Sequence, residues 1–191
     1  MTPLLPWVLA ASSVLAPNRS HDRLAEAITR TVEAEPPLYK DDEDRKKTAA
    51  FLVAIAFRES SLRADAVGDM HAGKPTSFCA FQIHLPGGAK TQDGWTGQDL
   101  LDDTNKCVST ALKMLRSSMK MCPAHPLAFY ASGPAGCESA RAQRISRDRV
   151  AIAQRLVRDV KPKSNLETAS AAPAEAAPTP TPPDERRKDA L

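Results

Sequence analysis

Phe51, Ile55 and Glu59 are spaced four apart and so share one face of a helix. The first two are apolar. A helix that buries them carries the carboxylate of Glu59 to the edge of an apolar pocket. Two effects then raise its pKa: desolvation disfavours the anion, and so does the negative end of the helix dipole. A carboxylic acid that stays protonated near neutral pH is what glycoside cleavage needs, because the leaving oxygen must receive a proton. General-acid help of this kind contributes ~10²–10⁴ in rate. On these grounds alone a glutamate at a helix end is more often an exposed residue or half of a salt bridge. Arg58 and Arg63 are near enough in sequence to be its partners.

The elements that must hold Glu59 follow from periodicity. Leu24, Ala27, Ile28, Thr31 and Val32 predict an amphipathic helix over 22–34, which Pro36-Pro37 stops. The acidic run from Asp41 to Asp44 suits the first turn of the next helix. That helix continues through Thr48 to Arg58 and is apolar on every side, as befits the middle of a domain. Residues 63–100 carry the glycines and prolines of a loop-rich region. Within it, Phe78–Ile83 fits a strand or a helical turn equally well. Asp103 or Thr104 caps a further helix, with Val108, Ala111, Leu112, Leu115 and Met119 as its buried stripe. A short helix over Leu127–Ala131 follows Pro126. The last helix, Ser146–Val160, buries Ile152, Leu156 and Val160. From there on, Ala, Pro, Thr and charges without periodicity predict a disordered tail. The fold class is mainly α.

Four segments carry a resemblance. Ala54–Leu62 (AIAFRESSL) is similar to the Glu-Ser motif of the soluble lytic transglycosylase (SLT) and goose-type lysozyme families. There an apolar helix ends at the catalytic acid and a Ser follows it. Ala80-Phe81-Gln82-Ile83 looks like their Leu-Met-Gln-Ile segment, whose Gln lines the saccharide groove. Asn105 and the helix ending Met114-Leu115 are similar to their Asn-led helix behind the site. Ala128–Pro134 (AFYASGP) resembles their Ala-Tyr-Asn-Ala-Gly-Pro motif, in which the Tyr sits beside the acid and helps orient it. The segments occur in the family's order over about residues 48–134. The departures are Cys79 for Gly, Ala131 for Asn, and a longer loop from Gly68 to Ser77. The resemblance implies Glu59 as the catalytic residue, with Ser60, Gln82 and Tyr130 contacting substrate.

It also implies an organisation: a signal-like or N-terminal segment over 1–20, a lysozyme-like helical domain with a loop-rich saccharide groove over 21–160, and an Ala/Pro-rich tail over 161–191. Leu4–Ala16 is apolar like a signal peptide, but no Lys or Arg precedes it and Pro6 interrupts it. An ordered N-terminal segment is the alternative. No run of about 20 apolar residues predicts a membrane span.

Cys79, Cys107, Cys122 and Cys137 form no C-x-x-C pair, and the four histidines lack zinc-ligand spacing, so neither metal nor cofactor is expected. Two disulfides, hence export to an oxidising compartment, are expected over four buried thiols. Four cysteines allow three connectivities. Within the family frame, Cys79 pairs with Cys107 and Cys122 with Cys137.

The expected partner is the glycan strand of peptidoglycan, cleaved at the MurNAc-GlcNAc β-1,4 bond by a monomer. Hydrolysis needs a second carboxylate; Asp65, Asp69 and Asp93 are candidates, and no motif marks any of them. That favours the transglycosylase route, for which the resemblance implies a 1,6-anhydroMurNAc product. Lysozyme-type hydrolysis and a non-catalytic wall-binding or virion module are the alternatives. Nucleic acid is not an expected partner: aromatics are 5% and the formal charge is +3. Only the cluster of eight Lys/Arg against two Asp over residues 141–163 points that way, and a solvated helix face explains it as well.

Overall fold

The computed structural model describes residues 4–36, 38–39 and 43–161. The predicted tail from Pro162 onward lies outside them, as do Pro37 and the first two residues of the acidic run. The described residues form seven α-helices and one three-stranded antiparallel sheet. In chain order these are α1 (Leu4–Leu15), α2 (Asp22–Ala34), α3 (Asp44–Ser60), β1 (Val67–His71), β2 (Lys74–Phe78), β3 (Ile83–His84), α4 (Gly97–Asp102), α5 (Thr104–Met121), α6 (Ala128–Ser132) and α7 (Ala140–Asp159). The mainly α reading holds.

The apolar helix is the centre of the molecule. Every residue of α3 from Thr48 to Ala56 is buried, and α7, α1 and α2 all pack against it. Small residues at 49, 50, 54 and 56 let those neighbours approach closely on several sides at once. Its far end is closed by Ser61 in the left-handed region, whose amide and that of Leu62 bond back to Phe57 and Ala56. The chain therefore turns sharply one residue after the helix has delivered Glu59.

α1 is built into the core. Trp7, Val8 and Ala11 are buried with α2 and α3, and the Trp7 indole donates to the Val160 carbonyl at 3.1 Å.

Residues 67–84 depart from expectation. The segment read as a long loop from Gly68 to Ser77 is a hairpin, with Gly68 opposite Ser77 and Met70 opposite Pro75. Its strands are exposed over most of β1, so they lack the apolar alternation that marks a strand. β3 adds to β2 through Phe78 and Ile83. α4, at the end of the segment 63–100 read as loop-rich, forms around a capping box between Thr96 and Asp99.

Asp103 caps α5, accepting from the Asn105 amide at 2.8 Å, and the predicted stripe is buried apart from the half-buried Met119. The last helix begins six residues earlier than expected, at Ala140, with Ser139 as its cap. Its inward stripe is Ala142, Ser146, Arg149, Ala153 and Leu156. The first three give no hydrophobic signal, which is why periodicity missed the first turns; Ile152, expected inside, is only half buried.

Candidate functional site

Glu59 sits at the end of α3, with its side chain 21% exposed. Neither sequence neighbour pairs with it. Arg58 turns away to Asp148 at 2.7 Å, and Arg63 donates to the Ser60 carbonyl. The partner is Arg149 of α7, whose Nη2 donates to Glu59 Oε1 at 2.5 Å. The pKa of Glu59 is nonetheless raised. Desolvation is the largest cause, the charge and hydrogen bond of Arg149 oppose it, and the charge of Asp69 adds to it.

Asp69 is therefore the one candidate second carboxylate whose charge acts on Glu59. Asp65 lies in a different cleft with Arg19, Arg23 and Arg63, and Asp93 is held by Lys113 at 2.6 Å. Asp69 occupies the left-handed region at φ 47° within β1. Two hydroxyls of β2 hold it there: Thr76 donates to its carbonyl, and Ser77 donates to Oδ2 at 2.6 Å. The Ser77 oxygen also meets His84 Nδ1 at 3.3 Å.

Ser60 is buried; its one hydroxyl proton lies between the carbonyls of Ala56 and Ala80, and its oxygen accepts from the Arg63 amide. Its observed work is to bind the end of α3 to the Cys79–Gln82 turn. The residue expected to contact substrate is thus 6% exposed, with its hydroxyl engaged by backbone groups.

Gln82 closes that turn at φ 47°, with its amide nitrogen donating to the Cys79 carbonyl at 3.1 Å and its Oε1 against Gly68 of the hairpin. The turn is tied to α5 by the Cys79–Cys107 disulfide. A second disulfide joins Cys122 to Cys137 across the α6 segment. Both pairings are those the family frame implied.

Tyr130 stands beside Glu59 and Arg149. Its hydroxyl donates to the Phe81 carbonyl at 3.0 Å, and the Arg149 guanidinium lies over its ring at 5.9 Å. Burial is the main cause that raises the Tyr130 phenol, and the nearby Glu59 charge adds to it. At neutral pH it is a donor. A cavity of about 300 Å³ lies between Ile83, His84, Lys113, Met114 and Phe129; Glu59, Gln82 and Tyr130 are not among the residues that line it.

Among the described residues, the six non-glycine residues with positive φ run from Ser61 to Gln82. Sequence reasoning missed Arg149. Its only sequence signal is an arginine on the inward i, i+4, i+7 stripe of an amphipathic helix.

No protein-family model, curated protein or solved structure matches this chain. Among the described residues, no group of three or more His, Cys, Asp or Glu has a metal-binding arrangement, and no helix is long and apolar enough to cross a membrane. The two disulfides are compatible with a secreted protein.

Proposed function

We propose that this chain is an exported, lysozyme-like enzyme that cleaves the MurNAc-GlcNAc β-1,4 bond of peptidoglycan, with Glu59 as its acid and base. The observation that carries the reading is the state of Glu59. It is a carboxyl group at the mouth of an apolar helix end, raised by desolvation even though a cation bonds to it. Gln82 and the Phe81–Tyr130 contact stand in the same neighbourhood, as a saccharide groove would require. Protonated Glu59 gives its proton to the glycosidic oxygen as the bond to C1 breaks. As carboxylate it then takes the proton of the sugar's own C6 hydroxyl, whose oxygen closes on C1 to give the 1,6-anhydroMurNAc end.

A second reading is hydrolysis, and Asp69 favours it specifically. This carboxylate is within electrostatic reach of Glu59 and pinned by Ser77 in a strained conformation. Two carboxylates flanking one bond are the equipment of a lysozyme.

The test is mass spectrometry of purified peptidoglycan after incubation with the wild type and with Glu59→Gln. Anhydro-ended fragments from wild type alone support the transglycosylase. Reducing-end fragments that vanish in both Glu59→Gln and Asp69→Asn support the hydrolase. Absence of fragments from wild type defeats both and leaves a wall-binding or virion module.

A further inference from the structure

The contact between Arg149 and Glu59 uses only part of each side chain. Glu59 gives one oxygen, Oε1, to Arg149 Nη2. Arg149 itself is 6% exposed, and no protein atom accepts from its Nε or Nη1. A guanidinium buried with so few acceptors directs its charge at the one acceptor it has. Its plane is fixed from the other side by the Tyr130 ring, whose hydroxyl is anchored on Phe81. Its helix is fixed too: Ser146, one turn earlier, accepts from the Leu127 amide at 3.0 Å.

We propose that Arg149 is the positioning residue of the site, holding Glu59 Oε1 so that Oε2 is the oxygen that gives and takes the proton. The assignment rests on the proposed role of Glu59. A proton on Oε1 would face the N–H of Nη2, donor against donor, so the acid form carries it on Oε2. Oε2–H protonates the leaving oxygen, and the bonding pair departs with that oxygen. The carboxylate that remains is met by the Arg149 charge. Oε2 then removes the proton from the oxygen attacking C1, which is the C6 hydroxyl or, in hydrolysis, water, and Glu59 is an acid again. Arg149 stays charged throughout and transfers nothing. The groups facing Glu59 are Arg149 from α7, Asp69 from β1 and Tyr130 from α6; Arg58 is committed to Asp148.

Any ion pair to Glu59 shifts its midpoint, so a titration reads whether Arg149 governs Glu59, and kcat against KM reads whether that control serves the reaction. The side-chain carboxyl carbon of Glu59 is followed by NMR across pH in the full chain, in wild type, Arg149→Met and Arg149→Lys. The midpoint is expected to move up in Arg149→Met and part of the way back in Arg149→Lys. On peptidoglycan, kcat of Arg149→Met is expected to fall by roughly 10–100-fold, a part of the general-acid contribution, with KM little changed. The same Glu59 midpoint in all three proteins overturns the assignment, as does an unchanged kcat.

If Arg149→Met does not fold, the unmodified protein decides. A guanidinium resonance of Arg149 that moves with the Glu59 midpoint supports the proposal, and one that stays still overturns it. A wild type inactive on peptidoglycan would sink the proposed function, while the titration would still read whether Arg149 governs Glu59.

Discussion

Replacing Trp7 by Ala tests whether α1 belongs to the folded domain. Trp7 is 2% exposed and joins α1 to both the core and the end of α7. An aromatic side chain of this kind buries about 150–250 Å², which at ~25 cal/mol per Å² amounts to roughly 4–6 kcal/mol as an upper value. Measured Trp→Ala costs of about 3–5 kcal/mol agree with that scale. The Val160 carbonyl, also buried, would lose its indole donor, adding about 1 kcal/mol or more. A total near 4–6 kcal/mol is a large share of the ~5–15 kcal/mol that holds a domain together. At roughly 2–4 °C per kcal/mol for a chain of this size, the melting temperature should drop by about 10–20 °C. Urea unfolding followed by circular dichroism supplies the assay. Trp7→Phe keeps most of the ring and isolates the hydrogen bond, so its loss should be about 1–3 kcal/mol. Val14→Ala is the control, because Val14 on the same helix is 60% exposed. If Trp7→Ala melts with the wild type, α1 is not docked in solution, and Leu4–Ala16 behaves as a removable leader.

Three further outcomes can be checked. The folded-state pKa of Glu59 is raised from 4.5, so its favourable contribution is complete below that value and is lost as pH rises through the folded pKa. Wild type should therefore lose stability relative to Glu59→Gln as denaturation is repeated upward from about pH 4.5; a gap that moves the other way means Arg149 outweighs desolvation. Removing the bridge between Cys79 and Cys107, 28 residues apart, should cost ~3.6 kcal/mol and removing that between Cys122 and Cys137, 15 apart, ~3 kcal/mol by loop entropy. Paired Cys→Ser variants that unfold at the wild-type urea midpoint would contradict this. Gly68→Ala puts a Cβ 2.2 Å from Gln82 Oε1, the free end of a flexible side chain. The fold should tolerate it within about 1 kcal/mol, but Gln82 must move, and under the proposed function KM for glycan strands should rise; an unchanged KM would take Gln82 out of the proposed substrate contacts.

Local chemistry in the sequence determined a good deal. The alternation of apolar residues bounded α2 at 22–34, and the side chain of Asp103 set the start of α5. An even set of cysteines foretold two bridges, and a wholly apolar helix ending in Glu59 marked both the centre of the core and the candidate acid. These follow because helix periodicity and capping act between residues a few positions apart. What the tertiary structure decided acts across the chain. Arg149 meets Glu59 from 90 residues away, and only the packing of α7 on α3 brings them together. Asp69 was one of three indistinguishable carboxylates until the hairpin and the hydroxyls of Thr76 and Ser77 fixed its strained backbone. The packing of α1 on the core, with the Trp7 indole on the Val160 carbonyl, is likewise a long-range contact that no local pattern announces. Helix propensity and periodicity carry no information about which distant surfaces meet, and the charge state of Glu59 depends on that meeting.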